Sequence, residues 1–163
     1  MLINEIKEIA KENSVYVFFD MDGVLVEFDT REYEQVKNGE ADVFLNKRPI
    51  ISTKKFAKKL SKIKNVIVGI MSNCYAKVQR EDKKVWLKKY MPFIKEENIN
   101  IISYDEVKFK KEEKDLLKGN YLTNKYKNNT AKIFLIDDNI NIIKATNKNF
   151  KNISCHHVSM IIN

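Results

Sequence analysis

Residues 15–23 read Val-Tyr-Val-Phe-Phe-Asp-Met-Asp-Gly, an apolar run that ends in two carboxylates and a glycine. A continuous run of β-branched and aromatic side chains is typical of a strand buried on both faces, as in parallel sheets. Asp20 therefore lies at the carboxyl end of a buried strand, where open α/β sheets bind their ligands. Asp20 and Asp22 repel each other unless a cation or a phosphoryl ligand organises them, and Mg²⁺ prefers such oxygen ligands. Gly23 supplies the backbone freedom that a sharp exit from the strand needs.

Strands and helices alternate along the rest of the chain. Apolar runs predict further strands at 66–71, 99–103 and 133–136, and a β-like segment at 153–160. Helical spacing predicts helices near the N-terminus, from a cap at Ser52 or Thr53 to Asn65, at 77–90, through 116–122 and through 142–145. In the 77–90 helix we place Val78, Val85, Trp86 and Leu87 on the inward face. The alternation predicts an α/β fold: a Rossmann-like parallel sheet with helices on both faces.

The length of 163 residues predicts one domain over 1–163, with a short cap-like insertion at about 26–50. A hydrophobic content of 44% with 32% charged residues is typical of a globular protein. No apolar run approaches the roughly 20 residues that span a bilayer, so we expect no membrane partner. The N-terminal pattern is that of an amphipathic helix rather than a signal peptide, which predicts a cytoplasmic protein. Cys74 and Cys155 have no metal-binding spacing, which fits a reducing compartment.

The net charge of +8 raises the question of nucleic-acid binding. Only three of the 30 basic residues are arginine, and the lysines are spread along the polar faces of predicted helices. We therefore favour a solvated surface and do not favour nucleic acid as the partner. The charge still suits a small anionic substrate.

Polar side chains follow three of the predicted strands at their carboxyl ends. Because parallel strands end at one edge of the sheet, these side chains are expected to lie together. Taken alone, Ser72 is a candidate helix N-cap and an Asp-Asp pair a candidate exposed turn, but the three groups reinforce one another. The groups are Asp20 with Asp22, Ser72 with Asn73, and Asp137 with Asp138.

These motifs resemble the haloacid dehalogenase (HAD) superfamily of phosphotransferases. Its first motif is an apolar strand followed by Asp-x-Asp-Gly, which 18–24 matches. Its second motif is a strand ending in Ser or Thr, which 70–73 matches. Its fourth motif is a strand ending in paired acids, which 134–138 matches. Within the superfamily the chain looks most similar to the cytosolic 5'(3')-deoxyribonucleotidases and their small bacterial and phage relatives. The stretches 44–49 and 86–92 are counterparts of segments in those relatives.

The third motif of the family is a lysine. Lysines are frequent between 108 and 132, and the family pattern Lys-x-x-Tyr-Leu matches 118–122. The resemblance therefore favours Lys118 as the lysine that offsets the negative charge of the site, with Lys114 as the alternative.

The resemblance implies a Mg²⁺-dependent phosphomonoester hydrolase that works through an aspartyl-phosphate intermediate. Asp20 would be the nucleophile, and Asp22 would act first as acid and then as base. The Ser72 hydroxyl and the Asn73 backbone N–H would hold phosphate oxygens.

The same resemblance implies a ligand set for Mg²⁺. The cation would be held by the Asp20 carboxylate, the Asp22 backbone carbonyl and Asp138, with Asp137 nearby or acting through water. Which of Asp137 and Asp138 ligates directly stays open.

The substrate expected from this branch is a nucleoside or deoxynucleoside monophosphate. The insertion leaves only about 25 residues for a cap, fewer than in the deoxyribonucleotidases, so a phosphatase of another small or polynucleotide phosphate ester is an alternative. A base would stack on an aromatic side chain of the site, and a second anionic group would bind an arginine. The candidates are Phe28, Tyr33, Phe44 and Tyr75 for stacking, and Arg31 and Arg48 for the anion.

Two alternatives belong to other functional classes. A phospho-receiver signalling domain also uses acids, Mg²⁺, a hydroxyl and a lysine, but its acidic pair opens the domain, whereas here paired acids recur after the lysine. A catalytically silent binding module would have no physical reason to keep buried carboxylates. Both readings are therefore less favoured than an enzyme.

Overall fold

The structure is a computed structural model that describes residues 1–38, 40 and 42–161, except for the side chains of Tyr33, Val36 and Lys37. The strands of the described part are β1 (Val15–Phe19), β2 (Val66–Cys74), β3 (Ile99–Ser103), β4 (Lys132–Asp137) and β5 (Ile153–His157). Its α-helices are α1 (Leu2–Ile9), α2 (Arg31–Lys37), α3 (Ile51–Leu60), α4 (Lys77–Tyr90), α5 (Leu117–Lys125) and α6 (Ile140–Asn149). Short 3₁₀ helices lie at Glu96–Asn98, Lys111–Leu116 and Val158–Ile161.

The strands form a parallel sheet in the order β3-β2-β1-β4-β5. The chain moves outward from β1 to β3 and then returns to the other side of β1, so the order reverses between β1 and β4. Such a reversal opens a crevice at the carboxyl ends of the two strands, where ligands bind in open α/β sheets. The predicted α/β fold with a parallel sheet is confirmed.

Apolar side chains cover both faces of the sheet. Consecutive residues of β1 point to opposite faces: Phe19 packs with α1, α3 and α4, whereas Phe18 packs with α5 and α6. Both rings are fully buried, which is why the strand reads as a continuous apolar run. In the described part of the chain, none of the helices is both long and apolar enough to cross a membrane.

Several predicted boundaries and orientations differ from the structure. β2 continues through Ser72 to Cys74, because β3 pairs with these residues and extends the ladder. β4 likewise includes Asp137. α3 begins at Ile51 without a side-chain cap, so the predicted cap at Ser52 or Thr53 is wrong.

The predicted inward face of α4 is partly wrong. Trp86 and Leu87 are buried as expected, but Val78 and Val85 are exposed. The buried face continues toward the N-terminus of the helix through Gln79 and Lys83 and is therefore polar at that end. Apolar spacing alone places Val78 and Val85 inward, whereas the residues buried at this end of the helix are polar.

The stretch predicted as an insertion, at about 26–50, contains α2 and leads into α3. Val26 forms isolated bridges with Asp22 and with Pro49. The Trp86 indole N–H donates to the Lys47 carbonyl over 2.8 Å, and the Phe44 ring packs edge-on against Trp86. The insertion is thus tied to α4.

Candidate active site

A buried cluster of charges lies where β1 and β4 end. The Asp20 backbone N–H donates to the Ile136 carbonyl over 2.9 Å, which holds the two strand ends side by side. From the first turn of α5, the Lys118 ammonium lies 2.6 Å from Asp137 Oδ2 and 3.0 Å from Asp20 Oδ2. The side chains of Lys118 and Asp137 are 2% and 0% exposed. Lys118 therefore joins the two carboxylates, whereas the alternative, Lys114, does not reach them.

Oxygen atoms suited to a hard cation converge beside this cluster. One ligand atom from each of Asp20, Asp137 and Asp138 lies within 4.8 Å of the others. Asp20 Oδ1 is buried and has no hydrogen-bond partner among the described residues. These donors fit Mg²⁺, which prefers oxygen ligands and retains several waters.

Gly23 makes room for this arrangement. Its φ is +74°, and a Cβ at this position would lie 2.1 Å from Asp138 Oδ2. A side chain there would push the Asp138 carboxylate away, so the glycine after the two acids has a steric role as well as a conformational one.

Burial and mutual repulsion disfavour ionisation of these carboxylates. Burial raises the pKa of Asp20 to about 6, with Lys118 opposing the shift and Asp137 adding to it. Burial, and then the charge of Asp137, raises the pKa of Asp138. Burial alone would lower the pKa of Lys118, but the charges of Asp20 and Asp137 raise it, so this lysine stays charged. A bound cation would relieve the repulsion among the acids.

The Asp22 side chain belongs to a second charge cluster, on the β2 side of the site. Lys83 Nζ lies 2.6 Å from Asp22 Oδ2, 3.1 Å from Ser72 Oγ and 2.8 Å from the Asn73 carbonyl oxygen. The Lys83 side chain is fully buried. One ammonium thus joins Asp22 to both residues that were predicted to hold phosphate.

A second lysine binds Asp22 from the insertion. Lys47 Nζ lies 3.2 Å from Asp22 Oδ1 and 2.8 Å from Glu32 Oε2. The ring of Phe44 lies beneath both ammonium groups, 5.1 Å from Lys47 Nζ and 5.2 Å from Lys83 Nζ. Burial alone would raise the pKa of Asp22, but Lys83 and Lys47 lower it below its ordinary value. Asp22 is therefore held as a carboxylate.

The two clusters meet at the floor of a cavity of about 430 Å³. The floor residues are Asp20, Asp22, Lys118 and Asp138. Tyr75, Tyr104, Lys114 and Phe28 are among the residues that line the rest of the cavity, together with Asn73, Cys74, Gln79, Asp115, Asn139 and Ile142. A volume of this size is within the range of small-molecule sites.

The predicted substrate contacts are only partly placed at this cavity. Phe28 and Tyr75 line it, whereas Phe44 is 1% exposed and cannot stack on a base. The Arg31 guanidinium is bound by the carboxylate of Asp29.

Arg48 is exposed and is not among the residues that line the cavity. The Tyr33 side chain lies outside the described residues.

Sequence reasoning did not identify Lys83, Lys47 or Tyr104. Lys83 precedes Trp86 by three positions, so it lies on the same face of α4 as the buried indole, and this spacing is a signal that could have found it. Lys47 and Tyr104 lie in loops, where no periodicity distinguishes them from other residues.

No protein-family model matches the chain, and a search of curated proteins finds no match. Among solved structures, the HAD domain of the effector protein Lem4 from Legionella pneumophila is similar to 90% of this chain and 88% of its own, with 14% identity and a TM-score of 0.48. A mutant ferredoxin-NADP⁺ reductase from Plasmodium falciparum, in complex with 2'P-AMP, is similar over 92% of this chain and 55% of its own, with 11% identity and a TM-score of 0.31.

Proposed function

We propose that the protein is a phosphomonoester hydrolase that uses Mg²⁺ and forms an aspartyl-phosphate on Asp20. The observation that supports this most directly is Asp20 itself, a buried carboxylate with one unpartnered oxygen at the floor of a cavity. A buried carboxylate oxygen without a hydrogen-bond partner is costly, and it is usually retained where a ligand or a reaction uses it.

In the proposed reaction, a carboxylate oxygen of Asp20 attacks phosphorus and the ester P–O bond breaks. Asp22 gives its proton to the leaving alkoxide. Asp22 then takes a proton from a water molecule, which attacks the phosphorus of the aspartyl-phosphate and releases inorganic phosphate. This second step restores the carboxylate of Asp20.

The ion pairs of Asp22 affect its protonation state in this reaction. Lys83 and Lys47 hold Asp22 in the ionised form that the base of the second step requires, but it must first be protonated to act as the acid. Because Lys83 also contacts Ser72, a phosphate dianion bound by the Ser72 hydroxyl and the Asn73 N–H would compete with Asp22 for this ammonium. Substrate binding would then weaken the hold on the Asp22 carboxylate and favour its protonation.

Asp20, Asp138 and the Asp22 backbone carbonyl would hold Mg²⁺, which when bound neutralises charge on the transferring phosphoryl group. Both oxygens of Asp137 already accept hydrogen bonds, Oδ2 from Lys118 and Oδ1 from the Asn139 backbone N–H over 2.9 Å. We therefore assign the direct contact to Asp138 and a contact through water to Asp137.

The substrate we propose is a nucleoside or deoxynucleoside monophosphate. The sequence resemblance supports this, as do Phe28 and Tyr75, which are 66% and 44% exposed and line the cavity. Bases stack readily on such exposed rings. Other small or polynucleotide phosphate esters are the alternative, and comparison of nucleoside monophosphates with sugar phosphates separates the two: equal kcat/KM values would contradict the nucleotidase assignment.

Hydrolysis of p-nitrophenyl phosphate with and without Mg²⁺ tests the reaction itself. We expect release that requires Mg²⁺ and is abolished in Asp20→Asn. Lys55→Met, a change at an exposed lysine of α3, is a matched control that keeps full activity. Release that persists without Mg²⁺, or in Asp20→Asn, would show that another mechanism or a contaminant is responsible. Absence of release from the unchanged protein would favour a binding module or a phospho-receiver.

A further inference from the structure

Among the described side chains that line the cavity above Asp20, the positive charges are those of Lys118 and Lys114. Lys118 is engaged by Asp20 and Asp137. Lys114 forms no ion pair with any described residue. Its ammonium instead lies over aromatic rings, 5.1 Å from the ring centre of Tyr104 and 6.0 Å from that of Tyr75. The charge of Lys114 is thus held beside the cavity but not neutralised.

The aromatic rings provide a fixed support for this ammonium. Tyr75 and Tyr104 pack edge to face with ring centres 5.7 Å apart, and Phe109 lies behind Tyr104 at 5.2 Å. A cation–π contact orients an ammonium while leaving its N–H groups free to donate to an anion. Lys114 therefore has the geometry of an anion contact that is placed before the ligand arrives.

Other cations near the site are not available for this role. Lys83 and Lys47 are paired with Asp22, and the guanidinium of Arg31 is paired with Asp29. The scissile phosphate would be held at the floor by Ser72 and Lys118, whose ammonium is already engaged by two carboxylates. A second anionic group on the same substrate would meet Lys114.

We propose that Lys114 determines specificity for phosphomonoesters whose leaving group carries a second anionic group, a phosphate or a carboxylate. This inference rests on the proposed function, because it assumes that the scissile phosphate binds over Asp20. Asp115 lines the same cavity and carries the opposite charge. It weakens the attraction for an anion, so its removal is expected to strengthen the preference.

Matched pairs of substrates test the proposal and distinguish the two anions. A nucleoside 3',5'-bisphosphate is compared with the 5'-monophosphate, and 3-phosphoglycerate with glycerol 3-phosphate, by kcat/KM in the presence of Mg²⁺. We expect the member with the second anion to be preferred in at least one pair. Lys114→Met should reduce that preference about tenfold, mainly through KM, since a charge-assisted hydrogen bond is lost.

Two further variants make the test specific. Lys111→Met removes an exposed lysine of the same 3₁₀ helix that does not line the cavity, and the preference should be unchanged. Asp115→Asn should increase the preference. No preference in the unchanged protein, or a preference that survives in Lys114→Met, would overturn the proposal.

A binding measurement separates this proposal from the proposed function. Calorimetric titration of the Asp20→Asn protein with the same pairs reports affinity without turnover. The proposed function fails if the unchanged protein hydrolyses none of these substrates. The anion contact is still supported if Asp20→Asn binds the substrate with the second anion more tightly than its partner and Asp20→Asn/Lys114→Met does not. Equal binding of both members overturns it.

Discussion

Lys83 Nζ lies 2.6 Å from Asp22 Oδ2, although 61 positions separate the two residues along the chain. The contact connects the exit of β1 with the middle of α4, and the same ammonium reaches Ser72 and Asn73 on β2. One buried lysine therefore fixes the relative positions of Asp22 and of the end of β2 that we propose binds phosphate.

The first prediction concerns this lysine. Lys83→Met leaves Asp22 with only Lys47, and breaking one side of a buried pair is costly, so we expect the free energy of unfolding to fall by about 3 kcal/mol. Urea denaturation measures the change. We also expect kcat/KM for p-nitrophenyl phosphate to fall about 100-fold, since a donor beside the reacting group is lost.

Lys84→Met is the matched control for Lys83. Lys84 is the next residue of α4 and forms an exposed pair with Glu81, whose loss should cost less than about 1 kcal/mol. Equal effects of the two changes on stability would show that the buried pair has no special role.

The second prediction separates the two acids at the carboxyl end of β4, Asp137 and Asp138. Asp138→Asn should weaken Mg²⁺ binding at least tenfold with little effect on stability in the absence of metal. Asp137→Asn should instead lower the free energy of unfolding by about 3 kcal/mol, because it removes a buried partner of Lys118. Titration calorimetry with Mg²⁺ and urea denaturation, applied to both variants, measure the two effects. The reverse pattern would assign the direct metal contact to Asp137.

The third prediction follows from the raised pKa of Asp20. With a pKa of about 6 in the folded chain and 3.8 as the ordinary value, the folded state binds more protons between these pH values. Asp20 therefore contributes less to stability as pH rises from about 4 to 6, and the loss is complete above that range. Asp20→Asn cannot ionise, so without metal it should gain stability relative to the unchanged protein across this window.

Urea denaturation at several pH values between 4 and 8 measures this difference. The difference between the free energies of unfolding of the two proteins removes the contributions of other groups that titrate in the same pH range. A difference that does not change with pH would show that the pKa of Asp20 is not raised.

The fold could be predicted from sequence because its strands are buried on both faces. The run 15–19 is apolar throughout, and the acids that follow it mark the sheet edge where ligands bind. The boundaries at that edge were less predictable. Ser72 and Asp137 are polar and look like loop residues, yet pairing with neighbouring strands keeps them in the sheet.

The contacts of the site could be predicted only where a pattern marks them. Lys118 could be predicted only because 118–122 matches the family pattern Lys-x-x-Tyr-Leu. Lys83 is not predicted, because a buried lysine is rare and its partner is distant in sequence. Phe44 is one of the four predicted stacking candidates because it is an aromatic residue of the cap-like insertion. In the structure it packs on Trp86 and supports two lysines.

The last prediction concerns Gly23, because a Cβ at this residue would both strain the backbone and displace Asp138, the proposed metal ligand. Gly23→Ala places a Cβ at a residue with φ of +74°, 2.1 Å from Asp138 Oδ2. Strain of this kind costs about 1 to 3 kcal/mol, which urea denaturation will show as a lower free energy of unfolding. Because the displaced group is the proposed metal ligand, Mg²⁺ affinity should fall as well, and Asp138→Asn should then add little further loss. If each change instead lowered Mg²⁺ affinity by its full amount in the double variant, Gly23 would act on the backbone alone.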